Sequence, residues 1–183
     1  MLETKIGEEE LRRIVREEIA LALKQDPAAR GAAIIASKGT LDWAYPPLIL
    51  STAAAASGMN VSVFFTFYGL NVIHRDFERK LKVSPVANPG MPMPVPVPDI
   101  VNALPGMTGL ATGMMKSMFR KKGVAGIGEL LAVARESGVR LIACQMTMDV
   151  FGYGNDEFVP GVEFGGAAAF LSIARRAHLT LFI

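Results

Sequence analysis

Hydrophobic positions in residues 31–83 predict strands and helices in alternation. Short apolar runs at residues 32–36 and 61–66, each bounded by glycine and polar residues, are typical of buried strands. The longer stretches at residues 41–57 and 69–79 are typical of helices. This β-α-β-α order indicates a parallel sheet with helices on its faces.

The C-terminal half continues the pattern. We predict a helix at residues 127–137, a strand at 140–143 that ends at Cys144, a helix at about 164–177 and a strand at 179–183. These make four clear strands, and we expect a fifth in the irregular middle of the chain. A length of 183 residues fits one domain. The sequence therefore predicts a three-layer α/β domain with a mostly parallel sheet.

Two segments depart from this pattern. Residues 1–30 hold an amphipathic helix at 8–24, which we interpret as an arm that packs on its own domain or on another subunit. Residues 84–122 form an insertion that is rich in proline and then in glycine and methionine. Alternating prolines exclude a helix and favour extended geometry, so we expect this insertion to be irregular. The α/β domain then spans residues 31–183.

Charge and composition narrow the functional classes. The net charge is only +2 and the basic residues form short clusters, which argues against a nucleic-acid partner. One cysteine cannot form an internal disulfide, and the acidic N-terminus lacks signal-peptide features, so we expect a cytoplasmic protein. Residues 43–73 carry no charge, but Pro46, Pro47 and Gly58 interrupt them, so we predict no membrane span.

Cys144 is the candidate reactive group. The preceding strand delivers it to the edge of the sheet where open parallel sheets bind ligands. We expect residues 145–150 to begin a helix, whose N-terminus favours a thiolate. Thr147 and the backbone N–H groups after Cys144 are candidate hydrogen-bond donors to that thiolate. The competing interpretation is a small buried hydrophobic residue. His74 and His178 are distant in sequence, so a Cys-His hydrolase has no support from spacing.

Two motifs carry a family resemblance. Residues 143–149, Ala-Cys-Gln-Met-Thr-Met-Asp, resemble the cysteine motif of the DsrE/DsrF-like proteins, in the branch with Cys-x-Met-x-Met-Asp. Residues 58–71 are similar to the second strand and following loop of that branch. The resemblance covers residues 31–183. It implies a flavodoxin-like domain, a homo-oligomer, and sulfur transfer through a cysteine persulfide.

One departure from the family changes the expected chemistry. Some relatives carry another cysteine after the first strand, where this chain has residues 36–39, Ala-Ser-Lys-Gly. Cys144 therefore has no internal thiol partner, and its sulfur would pass to another protein or to a small thiol.

The functional prediction is a sulfur carrier or sulfurtransferase that holds sulfane sulfur on Cys144 and meets a sulfur-donor or acceptor protein. We expect its pocket to be shaped by residues at strand ends and in adjoining loops: Gly39, Thr40, Tyr68, Gly69, Asn71 and Met146. We predict no cofactor. We also predict no metal, because the methionines do not show the spacing of metal ligands.

An alternative function stays open. It is a non-catalytic α/β domain that binds an anionic small molecule at residues 37–40, or that docks a partner or a membrane surface through its Met/Pro-rich segment. The competing interpretation of residues 37–40 is a helix cap, with Thr40 or Asp42 supplying the capping oxygen.

Overall fold

A computed structural model describes residues 31–83 and 106–183, together with Glu9, Glu10, Arg13 and Glu17. Five strands form one sheet in the order β4-β3-β2-β1-β5, and every neighbouring pair is parallel. This confirms the predicted α/β class with a parallel sheet. The strands are β1 (Gly31–Ala36), β2 (Asn60–Phe65), β3 (Arg140–Cys144), β4 (Val162–Gly165) and β5 (Leu179–Phe182).

Helices connect the strands on both faces of the sheet. Within the described ranges they are α1 (Leu41–Ala56), α2 (Leu70–Ile73), α3 (Phe77–Lys80), α4 (Met107–Lys121), α5 (Ile127–Glu136), α6 (Gln145–Phe151) and α7 (Ala167–Ala174). Short 3₁₀ turns occur at Phe67–Gly69 and Asn155–Glu157. None of the helices in these ranges is both long and apolar enough to cross a membrane.

The core has two parts because successive side chains of a strand point to opposite faces of the sheet. On one face, strand residues such as Ile34 and Phe65 pack with Leu48 of α1 and Leu131 of α5. On the other face, a smaller cluster is built around Phe170 of α7: Ala33, Phe64, Ile142 and Cys144. Phe64 and Phe170 stack with ring centroids 4.8 Å apart. Cys144 therefore belongs to the smaller core.

The fifth strand is not where the sequence predicted it. It is β4, which pairs with β3 along an edge of the sheet and occupies the start of the predicted 164–177 helix. The helix begins only at Ala167, after Gly165 and Gly166. The four residues of β4 are partly exposed and end in Gly165, with Gly166 next. Their alternation of apolar and polar positions is therefore too weak to predict a strand.

The Gly/Met-rich part of the insertion is also regular, contrary to the prediction, because residues 107–121 form α4. Its glycines lower intrinsic helix propensity, but tertiary packing compensates. Phe119 lies edge-on to Tyr45, with centroids 4.7 Å apart, and Met115 packs against the main core. Lys116 of α4 forms an ion pair with Glu78 of α3. Residues 84–105 lie outside the described ranges.

Two further predictions have mixed outcomes. The helical stretch at residues 69–79 is split into α2 and α3, because His74 has an extended backbone and forms a bridge to Phe158. The N-terminal helix lies mostly outside the described residues. Within it, Arg13 is within salt-bridge distance of Glu10 and Glu17, at 3.8 and 4.0 Å.

Candidate functional site

Cys144 is the last residue of β3 and the residue that precedes α6. Its position after an apolar buried strand is the one predicted from the sequence. The side chain is only 3% exposed and packs in the smaller core. Burial alone fits a small core residue, so the polar groups around the sulfur decide what the thiol can do.

Four neutral donors near Cys144 lower the pKa of its thiol, although its side chain makes no capping hydrogen bond to the first turn of α6. They are the hydroxyl and backbone N–H of Thr147, the hydroxyl of Thr66 and the backbone N–H of Met146. Burial raises the pKa of the Cys144 thiol, but these hydrogen bonds together outweigh it, so the pKa lies below the ordinary value. Within the described part of the chain, the groups that lower this pKa carry no charge. Neutral donors therefore stabilise the thiolate.

Thr66 follows the end of β2, and Thr147 lies in α6, the helix that follows Cys144. Phe65 pairs with Ala143 in the parallel register, so the next residues, Thr66 and Cys144, lie side by side. Thr66 Oγ1 is 3.2 Å from Thr147 Oγ1, and both residues are buried. Thr147 is the donor that the sequence predicted, whereas Thr66 was not selected for the site. The parallel register would have indicated Thr66, once β2 and β3 were known to be neighbours.

Phe67 completes this arrangement with an unusual backbone. Its φ of 47° is the one positive value at a non-glycine residue among those described. Such a conformation costs about 1–3 kcal/mol for a bulky residue and persists only when its surroundings impose it. Here the Phe67 N–H donates to Thr147 Oγ1 at 3.3 Å. The strained residue therefore fixes one of the hydroxyls that faces Cys144.

An exposed hydrophobic surface adjoins the cysteine, which we call the apolar patch. It consists of five side chains on the two segments that meet at Cys144: Phe67, Tyr68, Met146, Val150 and Phe151. The rings of Tyr68 and Phe151 are 5.8 Å apart and tie the two segments together. Exposed contiguous apolar surface commonly marks an interaction site. Of the predicted pocket residues, Tyr68 and Met146 belong to this patch.

Gly39 and Gly69 have a steric role that the sequence did not reveal. A Cβ atom at Gly39 would lie 2.8 Å from the carbonyl carbon of Tyr68, and one at Gly69 would lie 2.8 Å from the carbonyl carbon of Ala36. Both positions therefore require glycine for the loops after β1 and β2 to pack together. Asn71 lies at the same junction, because its Nδ2 atom is 2.9 Å from the Cβ position of Gly39.

The loop at residues 37–40 lacks the predicted capping hydrogen bond. Thr40 is the N-cap residue of α1, but its hydroxyl caps no backbone N–H. Thr40 Oγ1 and Asp42 Oδ1 are buried without a hydrogen-bond partner within the described part of the chain. Lys38 lies over the Trp43 ring, 3.1 Å from its centroid. The Asp42 carboxylate in the first turn of α1 disfavours an anion at this helix end.

Neither histidine contributes to the lowered pKa of Cys144. His74 is buried against Tyr153 and Phe158, and its Nδ1 atom accepts the Asp76 N–H at 2.9 Å. His178 is exposed just before β5. The structure thus gives no Cys-His pair within the described residues.

Comparison with known proteins identifies the family. Residues 28–182 match the model of the DsrE/DsrF/DrsH-like family. The chain belongs to this family. The sequence resemblance is thereby confirmed at the level of the family.

Two family relatives have similar lengths and one solved structure shares the fold. The sulfur carrier protein DsrE2 of Allochromatium vinosum is 51% identical over 155 residues, covering 82% of this chain and 96% of that protein. The uncharacterized protein YrkE of Bacillus subtilis is 31% identical over 156 residues, covering 82% and 94%. The crystal structure of ychN from E. coli aligns with a TM-score of 0.50 at 13% identity, covering 84% of this chain and 98% of that one.

Proposed function

We propose that this DsrE-family chain is a sulfur carrier that holds sulfane sulfur as a persulfide on Cys144. The observation that carries the proposal is a single buried cysteine at a strand end, beside the hydroxyl pair of Thr66 and Thr147 and with neighbouring donors that lower its thiol pKa. A cysteine that served only as core filler would need no such donors, because a thiol is a weak hydrogen-bonding group. The similarity to a relative named as a sulfur carrier supports the same function.

The chemistry needs no oxidant and no cofactor. The Cys144 thiolate attacks the outer sulfur of a donor persulfide or polysulfide, and a new S–S bond forms at Cys144. The donor's own S–S bond breaks, and its electron pair leaves on the donor sulfur, which becomes a thiolate. In delivery, an acceptor thiolate attacks the outer sulfur and Cys144 becomes the leaving group. Each half is a displacement between thiolates, so sulfur is transferred without net oxidation.

The absence of a second cysteine determines where the sulfur goes. Since the chain has one cysteine, the persulfide cannot be resolved into an internal disulfide. The acceptor is then a thiol on another protein or on a small molecule. The apolar patch supplies the adjoining contact surface for a donor or acceptor protein. Because Cys144 is only 3% exposed, its neighbours must move for a partner thiol to reach the sulfur.

Two further parts of the proposal come from the sequence. A cytoplasmic location suits this chemistry, because a reducing compartment keeps both Cys144 and its acceptor as free thiols. We also propose that the chain assembles as a homo-oligomer of domains that span residues 31–183, with residues 1–30 as an arm.

Intact mass measures the proposed function. Wild type and Cys144→Ser are incubated with polysulfide, desalted and weighed before and after a reductant. We expect wild type to gain the mass of sulfur atoms and to lose it on reduction, while Cys144→Ser gains nothing. Equal gains on the two proteins, or no gain on wild type with several donors, would contradict a persulfide on Cys144.

A further inference from the structure

The hydroxyl groups of Thr66 and Thr147 form a pair beside Cys144, because Thr66 is the neighbour of Cys144 in the parallel register of β2 and β3. Thr147 Oγ1 accepts the N–H of Phe67 at 3.3 Å. Thr66 Oγ1 lies 3.2 Å away, so one of the two hydroxyl hydrogens is shared between the oxygens and the other is available to the Cys144 sulfur. Thr147 is 2% and Thr66 is 9% exposed, so water competes little for these hydrogens.

This arrangement distinguishes the free thiolate from the persulfide. In a thiolate the negative charge lies on the Cys144 sulfur itself, where the donors are. In a deprotonated persulfide the charge lies on the outer sulfur, and the inner sulfur is a weaker acceptor. Hydrogen bonds to a charged acceptor are about twice as strong as those between neutral groups. The donors therefore stabilise the state in which Cys144 has given up its sulfur.

We propose that the hydroxyl pair of Thr66 and Thr147 promotes release of sulfur from Cys144, so that the carrier delivers to thiols of ordinary reactivity. This inference rests on the proposed function. In the delivery step the acceptor thiolate bonds to the outer sulfur and the S–S bond to Cys144 breaks. The electron pair stays on the Cys144 sulfur, beside the hydroxyl pair of Thr66 and Thr147. A better-stabilised leaving thiolate departs faster.

The same chemistry defines the step that must load the carrier. Sulfur moves onto Cys144 readily only from a donor in excess, or from a persulfide whose own thiolate is at least as well stabilised. The sulfur for this protein must therefore come either from a persulfide formed on a strongly activated cysteine or from polysulfide in excess. The reaction that consumes its product is attack by an ordinary thiol.

Three variants test the inference. Thr147→Val removes a hydroxyl at nearly constant shape, Thr147→Ser restores one, and Thr66→Val removes the other hydroxyl while leaving the Phe67 contact to Thr147 in place. Each protein is loaded with excess polysulfide and desalted, then unloaded with glutathione, and both rates are followed by intact mass. The pH profile of Cys144 alkylation is recorded on sulfur-free protein.

Removing one hydrogen bond to a charged acceptor changes an equilibrium by roughly 10- to 100-fold. We expect each valine variant to unload at least about fivefold more slowly, with loading changed less, because a less stabilised thiolate is scarcer but more nucleophilic. Their alkylation profiles move to higher pH, and Thr147→Ser behaves like wild type.

Three results would overturn the inference: equal slowing of both steps, unchanged unloading in both valine variants, or a serine variant as slow as the valine variant. If wild type takes up no sulfur at all, the proposed function fails and the inference falls with it. The loading measurement on wild type separates that failure from one in which sulfur is loaded but the hydroxyls do not affect its release.

Discussion

At Gly69 the loop after β2 packs closely against the loop after β1. Adding a methyl group at this position tests how strongly the contact between the two loops stabilises the protein. In Gly69→Ala the added carbon would lie 2.8 Å from the carbonyl carbon of Ala36 and closer still to its oxygen. Both neighbours are backbone atoms, which cannot move aside by a side-chain rotation. The two loops must therefore separate by about 1 Å to restore ordinary van der Waals contact.

The cost follows from what this separation breaks. Two backbone hydrogen bonds cross the junction, from Thr66 N–H to Ala36 O at 3.0 Å and from Gly69 N–H to Ser37 O at 3.2 Å. Each is worth about 0.5–1.5 kcal/mol net, and overpacking adds about 1–3 kcal/mol. We expect Gly69→Ala to lower the free energy of unfolding by roughly 2–6 kcal/mol.

Urea unfolding with linear extrapolation measures this change, and Gly109→Ala is the matched control. Gly109 lies inside α4, and a methyl group there would meet nothing within 4 Å. The same chemical change should raise stability at this position by about 0.5–1 kcal/mol. Loss of less than about 0.5 kcal/mol in Gly69→Ala, or equal effects of the two substitutions, would refute the steric reasoning.

Two further predictions concern titration. As the pH rises, the alkylation rate of Cys144 should increase with a midpoint below the ordinary thiol pKa of 9.0. This midpoint should change little between low and high salt, since hydrogen bonds rather than charges lower the pKa. A strongly salt-dependent midpoint would contradict stabilisation by neutral donors. Burial, followed by the nearby Lys80, lowers the pKa of His74, so the unfolded chain binds this proton more readily. The stability that depends on a neutral His74 is complete above its unfolded pKa of 6.5 and is lost as the pH falls through the folded pKa. The urea unfolding midpoint of His74→Asn should therefore fall less steeply toward acid pH than that of wild type. An unchanged slope would argue against a buried neutral imidazole.

The strands that pass through the centre of the sheet were predictable because their signal is local. The runs at residues 32–36, 61–66 and 140–143 are continuous, apolar and bounded by turn residues, as buried parallel strands are. The position of Cys144 at a strand end followed directly from the last of these. The edge strand β4 was missed because its four residues are partly exposed and lead into a glycine pair.

Thr147 was predictable because it lies three residues after Cys144, but Thr66 was harder to predict because its place in the site depends on long-range register. Thr66 and Thr147 are 81 positions apart, and they meet only because β2 and β3 are adjacent and parallel. The steric role of Gly39 and Gly69 likewise depends on two loops that are distant in sequence. Helix α4 was missed for the opposite reason, because its local glycine content argues against a helix that packing against Tyr45 stabilises.

Mapping of the sulfur atom shows whether Cys144 is the residue that carries it. Wild type is loaded with less than one equivalent of sulfane sulfur, alkylated at once to trap any persulfide, digested and analysed by peptide mass spectrometry. We predict that the peptide with Cys144 carries one extra sulfur beneath the alkyl group, and that reduction before alkylation removes it. Sulfur that co-purifies with the protein but leaves this peptide unmodified would contradict a persulfide carrier at Cys144.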